Sequence, residues 1–101
     1  MFSDKEKRYM TRMIAEVVHV EIQKILWDLI DEQRKNDLEL DYLQVFELIA
    51  MQGKQHVIHR QEVPERSVRR VFKLKYTTPI NQTIWCIDSD EYQMMLFPSD
   101  Y

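Results

Sequence analysis

Three histidines, one cysteine and a run of arginines and lysines are the side chains here with chemistry to offer. His56 and His59 stand three apart, and His19 and Cys86 are remote, so no Cys-x-x-Cys or His-Glu-x-x-His spacing forms. In a strand that odd spacing sends the two rings to opposite faces, which makes them ordinary strand histidines, and no metal is expected. Asp88, Asp90 and Glu91 crowd one turn without the spacing of a calcium loop. Cys86 lies in the apolar run 83–87, where a thiol is a small buried side chain. There is no Gly-x-Ser-x-Gly elbow, and a single glycine, Gly53, cannot build a phosphate cradle. No cofactor is called for.

A ribonuclease-like hydrolase is the nearest catalytic alternative. Small enzymes with a helix on an antiparallel sheet use a glutamate as base, a histidine as acid and arginines for charge. His59, Arg60, Glu62, Arg69 and Arg70 supply those types. Geometry opposes it, since Glu62 and His59 are three apart and face opposite ways; only His56 shares a face with Arg60 and Glu62. The chain is not expected to be an enzyme.

Charge is unevenly placed. The net charge is −3, yet residues 54–75 hold seven basic side chains against Glu62 and Glu65. Residues 28–47 hold seven acids against Arg34 and Lys35, and residues 88–101 hold four acids and no base. Over 69–76, alternation sets Phe72, Leu74 and Tyr76 on one side and Arg69, Val71, Lys73 and Lys75 on the other. His56 and Arg60 extend that basic row if the preceding strand aligns the same face. Such a row could contact phosphates, so nucleic acid is one candidate partner. The competing reading is a solvated sheet face whose lysines discourage edge aggregation. Met94, Met95, Leu96 and Phe97 form a segment apolar on both faces, which must be central, covered or paired with another chain. Homodimerisation through it is the matching expectation.

Positioning these residues falls to elements legible by period. Ile22, Ile25, Leu26, Leu29 and Ile30 recur at helical spacing and predict an amphipathic helix over 20–35, with Asp31 and Lys35 spaced as an ion pair. Residues 9–14 read as a first strand. Residues 42–51 fit a helical spacing too, but Gly53 and the strand 55–63 after it favour a hairpin. Pro64 ends that second strand. Strands follow at 69–76, 83–88 and 92–97, the last two joined at Ser89-Asp90. The expected fold is α+β: one amphipathic helix packed on a mostly antiparallel sheet of about five to six strands.

At 101 residues the chain is read as one domain, 1–101, and 45% apolar with 31% charged residues is a globular composition. No run of about 18 apolar residues exists, so no membrane span is expected. Charges fill the first ten residues where a signal peptide would be apolar, and one cysteine forms no internal disulfide, so the cytoplasm is expected.

Four segments carry a resemblance: 8–12 (Arg-Tyr-Met-Thr-Arg), 26–31 (Leu-Trp-Asp-Leu-Ile-Asp), 41–48 (Asp-Tyr-Leu-Gln-Val-Phe-Glu-Leu) and 59–64 (His-Arg-Gln-Glu-Val-Pro). The chain resembles the small proteins grouped as domain of unknown function 960, from low-GC Gram-positive bacteria and their mobile elements. Met13 departs from the glycine that family's pattern implies. The resemblance implies a compact cytoplasmic bacterial or phage protein with strand at 42–48, and no catalytic residue to carry over. Together these readings favour a non-enzymatic module that binds a protein partner, with nucleic-acid binding and hydrolase activity as rivals.

Overall fold

Helix α2, Val20–Lys35, forms over the span its apolar stripe predicts. His19 caps it, Nδ1 accepting from the Glu21 amide at 3.0 Å, and Arg34 and Lys35 suit the negative end of its dipole. Ile22, Leu26, Leu29 and Ile30 are buried along one side. Lys24 and Asp28 pair at 2.7 Å on the other.

A computed structural model describes residues 1–3 and 7–101. Besides α2 it contains β1 (Arg8–Met10), α1 (Arg12–Val17), β2 (Leu43–Met51), β3 (Lys54–Glu62), β4 (Glu65–Phe72), β5 (Gln82–Asp88) and β6 (Gln93–Leu96), then a 3-10 turn at Pro98–Asp100. The six strands make one sheet in the order β1-β6-β5-β2-β3-β4, antiparallel except where β1 runs parallel to β6. The fold is α+β, as the periodicity predicts.

Gln52 and Gly53 join β2 to β3, both at positive φ (51° and 74°), the two-residue turn whose twist suits its strands. The ambiguous segment 42–51 is strand because this turn gives it partners on both edges. Residues 45–51 pair with β3 and residues 43–48 with β5. One sheet face then meets α2 through Phe46, Leu48, Val57, Ile84, Cys86 and Met95, all buried. Each such aliphatic or aromatic side chain contributes roughly 2 kcal/mol by leaving water. Phe2 is wholly buried in the same core, its amide donating to Asp88 Oδ2.

Two segments depart from expectation. Residues 9–14 are not one strand: β1 ends at Met10 and α1 begins at Arg12. Thr11 is the cause. Its hydroxyl accepts from the Ile14 amide at 3.3 Å as an N-cap and donates to Asp100 Oδ2 at 2.8 Å, so Ile14 and Val18, four apart, turn into the core together. The strand read at 69–76 starts earlier, at Glu65, and stops at Phe72. Beyond it the Glu21 carboxylate accepts from the Lys75 and Tyr76 amides at 2.7 and 2.9 Å, which turns the chain across the start of α2. Those same bonds hold the Glu21 carboxyl below its ordinary range. Phe72 and Leu74 still pack on the core, while Tyr76 is 78% exposed.

Thr11→Ala removes both bonds of that hydroxyl and should lower unfolding free energy by about 1–2 kcal/mol. Urea denaturation measures it, with Thr11→Ser expected to recover most of the loss. Stability unchanged in Thr11→Ala would show that the cap does not hold α1.

Candidate functional site

The four segments singled out in the sequence meet in space as two polar clusters. In the first, Arg8 of β1 donates to both Asp31 oxygens at 3.0 and 2.6 Å and through Nε to Gln93 Oε1 at 2.7 Å. Its guanidinium lies 4.5 Å over the Trp27 ring. Asp31 thus turns to Arg8 rather than to Lys35. Burial alone would raise its pKa, but the Arg8 hydrogen bonds and charge outweigh that and hold the carboxyl low. Every polar atom of this fork is spent on tying the short strand β1 to α2 and β6.

The second cluster lies beneath the C-terminal end of α2. His59 is 3% exposed, stacks on Phe46 with ring centroids 4.3 Å apart, and meets Gln44 Oε1 through Nε2 at 2.6 Å. The Gln44 amide nitrogen already donates to Asp41 O and Gln61 Oε1, each at 2.9 Å, so its oxygen must accept and His59 carries its proton on Nε2. Gln61 donates to Pro64 O at 2.7 Å, and Arg66 reaches Gln33, Gln61 and the Glu39 carbonyl. Burial, with the Arg66 charge adding, lowers the His59 pKa to about 4. This histidine holds a proton in place and offers none to solvent. Burial likewise pushes the Cys86 thiol far up, which leaves it unreactive.

The hydrolase constellation is not assembled. His59 is in the core, whereas Glu62 is exposed at the end of β3. His56 and Arg60 share the opposite face from His59, about 13 Å apart along the strand at four residues' rise. Among the described residues, no three His, Cys, Asp or Glu side chains gather as a metal would require. A groove of about 550 Å³ between the α1–α2 corner and residues 77–80 is lined by Met10, Val17, His19 and Ile80, and His19 Nδ1 is occupied as a cap. Among the described residues no helix is long and apolar enough to cross a membrane.

Of the five basic-row candidates, three share the sheet face turned away from α2. Arg69 lies opposite Ile58 and donates to His56 Nδ1 at 2.9 Å. Arg60 binds Glu47 Oε1 at 2.8 Å, which neutralises it. Lys73 and Lys75 follow the end of β4 and leave the sheet. Met94, Met95, Leu96 and Phe97 also separate. β6 runs between β1 and β5, so neither of its edges is open. Met95, Leu96 and Phe97 are buried, and only Met94 is part-exposed, on the outer face.

Sequence reasoning singled out that outer face as a basic or solvated one; what it missed is how apolar the face is. Cross-strand register resolves it into rows. One row is Tyr9, Met94, Ile87 and Leu43; the next is Leu96, Trp85, Val45, Arg60 and Ser67. Thr83, Glu47, Ile58 and Arg69 form the third, and Ile49, His56 and Val71 the fourth. Among the described residues no helix covers these rows; the Tyr101 ring meets the Trp85 ring edge-on at 5.8 Å. Tyr9, Tyr42, Tyr92, Met51 and Val71 border it or stand on it with 38–51% exposure. The signal was in β2 itself: Leu43, Val45 and Ile49 alternate with Phe46 and Leu48, so the strand is apolar on both faces.

Over residues 7–100 the chain matches the model of a family described as staphylococcal protein of unknown function. Its fold is similar to a crystal structure of a protein of unknown function from Enterococcus faecalis, at 23% identity and TM-score 0.86, covering 100% of this chain and 98% of that one. No curated protein matches it.

The buried histidine sets a pH dependence. The unfolded ring takes up a proton near 6.5, the folded ring only near 4, so the depressed group contributes stability above 6.5 that is lost as pH falls through that window. The full loss amounts to about 3 kcal/mol. Urea midpoints measured from pH 7 to pH 4 should therefore fall more steeply for the native chain than for His59→Gln, which keeps a donor toward Gln44. Parallel slopes would show that His59 is protonated in the folded state.

Proposed function

The chain belongs to the DUF960 family, and we propose that it works as a non-enzymatic protein-interaction module that docks through the sheet face opposite α2. The observation that carries this reading is the set of apolar side chains left exposed or part-exposed on that face, Tyr9, Met94, Ile87, Leu43, Trp85 and Ile58, around Leu96 and Val45, which are already buried within the chain. Contiguous apolar surface of this kind costs solubility unless a partner covers it, and interfaces place it at their centre with a polar rim. Here the rim is Ser67, Arg69 and His56 on one side and the Ser89–Tyr92 turn on the other.

Nucleic acid fits the same face less well. A phosphate track needs successive uncompensated cations. Arg60 is neutralised by Glu47, Lys73 and Lys75 lie off the sheet, and Ile58 and Val71 flank Arg69. What remains is an apolar surface with a basic corner.

Ile58→Lys tests the reading at the middle of the face, where Glu47 lies directly opposite and can accept the new ammonium. Native chain used as bait in a lysate of a matching bacterium should retain specific proteins, further copies of itself included, which Ile58→Lys loses. Lys24→Glu, on the solvent side of α2, should retain them. Equal recovery by all three baits, or nothing specific on any, would remove the outer face as the docking surface.

A further inference from the structure

Resting on that reading of the outer face, we infer that its occupant is a second copy of this chain, packed sheet on sheet about a two-fold axis. Extent supports it first. The four longest strands, β5, β2, β3 and β4, run seven to nine residues. At roughly 4.8 Å between strands and 3.3 Å per residue they span on the order of 500 Å² in projection. Side-chain relief, Tyr9 of β1 and Met94 of β6 add to that, toward the roughly 800 Å² per partner that a stable dimer buries, while Leu96 and Val45, already buried within the chain, add nothing.

Charge supports it second. An isologous contact sets a surface against itself, so each fixed charge must meet its own image or its opposite. At the middle of this face an acid and a base lie side by side, Glu47 and Arg60, with side chains 38% and 43% exposed, while Lys54, Glu62, Glu65 and Arg69 stand toward its strand ends and edge. With the two-fold axis beside the pair, Glu47 of each copy faces Arg60 of the other, and two half-wet ion pairs close into one network of four charges. The neighbouring apolar rows then leave water on both copies at once. A partner of other chemistry must bring a matching pair of its own; a second copy supplies it by symmetry. Arg69 and His56 stay at the wet rim.

Sedimentation velocity on the full chain tests this with Glu47→Arg and Arg60→Glu. Native chain should be dimeric at micromolar concentration. Each variant alone should self-associate about tenfold or more weakly, because like charges then face across the axis. An equimolar mixture should regain the dimer, since a copy with two bases meets a copy with two acids. Circular dichroism confirms that each variant is folded. Should one fail to fold, Ile58→Glu, at the middle of the same face beside Glu47, replaces it and must also dissociate the dimer. A native chain that stays monomeric, variants that dimerise like the native chain, or a mixture that stays monomeric overturns the inference. If the native chain is monomeric yet loses a different captured protein on Ile58→Lys, self-association fails while the docking surface stands; if nothing specific is captured either, both fail.

Discussion

One sixteen-residue helix must cover a six-stranded sheet, and it can cover only one side. That constraint orders the rest of the molecule. On the covered side the helix stripe from Ile22 to Ile30 meets Phe46, Leu48, Val57 and Ile84, and the margins it cannot reach are filled by other pieces. Phe2 and Ile14 are brought into the same core, and Phe72, Leu74 and Ile80 pack partly against it from the far end. Each needs a local device to get there: the Thr11 cap for Ile14, the Glu21 carboxylate for the chain after Leu74. On the other side the Tyr101 ring meets Trp85, and Leu96 and Val45 in the same row are buried, while Leu43, Ile58, Ile87 and Val71 stay open to solvent in part.

Polar groups under the helix follow from the same constraint. Gln44, Gln55, Gln61 and Gln93 all point inward, and a buried amide is tolerated only when its donors and acceptors are paired. Gln55 ties the Ile80 amide and carbonyl, while Gln61 ties residues 39 and 64, so these side chains act as clamps for connections that have no sheet partner. His59 belongs to this set. Its neutral, stacked ring makes it a structural donor, which explains why a histidine in an attractive sequence context offers no catalytic group.

How much of this was legible depends on which face a residue serves. The α2 stripe was readable because all its apolar positions point one way, and the turns at Gly53 and Ser89-Asp90 were readable from turn chemistry. β3 was not: in Gln55 to Gln61 polar and apolar side chains occur on both faces, so period gave a strand without saying which side is buried. Inward glutamines read as surface by type alone. The resemblance singled out Arg8, Trp27, Asp31, Asp41, Gln44 and His59, but sequence could not show that they meet as two clusters, because their contacts span 15 or more positions. The basic row is divided in the fold because Glu47, on another strand, neutralises Arg60, and because Glu21 ends the strand early. The outer face was hidden in plain alternation, since β2 is apolar at odd and even positions alike.

The central claim is that the uncovered face is covered in solution. Methionine oxidation footprinting tests it most directly, because Met51 and Met94 lie on that face and Met10 on the helix side. Met51 and Met10 start from nearly equal exposure, 42% and 44%. Met51 and Met94 should lose reactivity as chain concentration rises through the micromolar range, while Met10 keeps its own. Reactivity that stays constant at all three positions, with concentration or with bacterial lysate added, would contradict it.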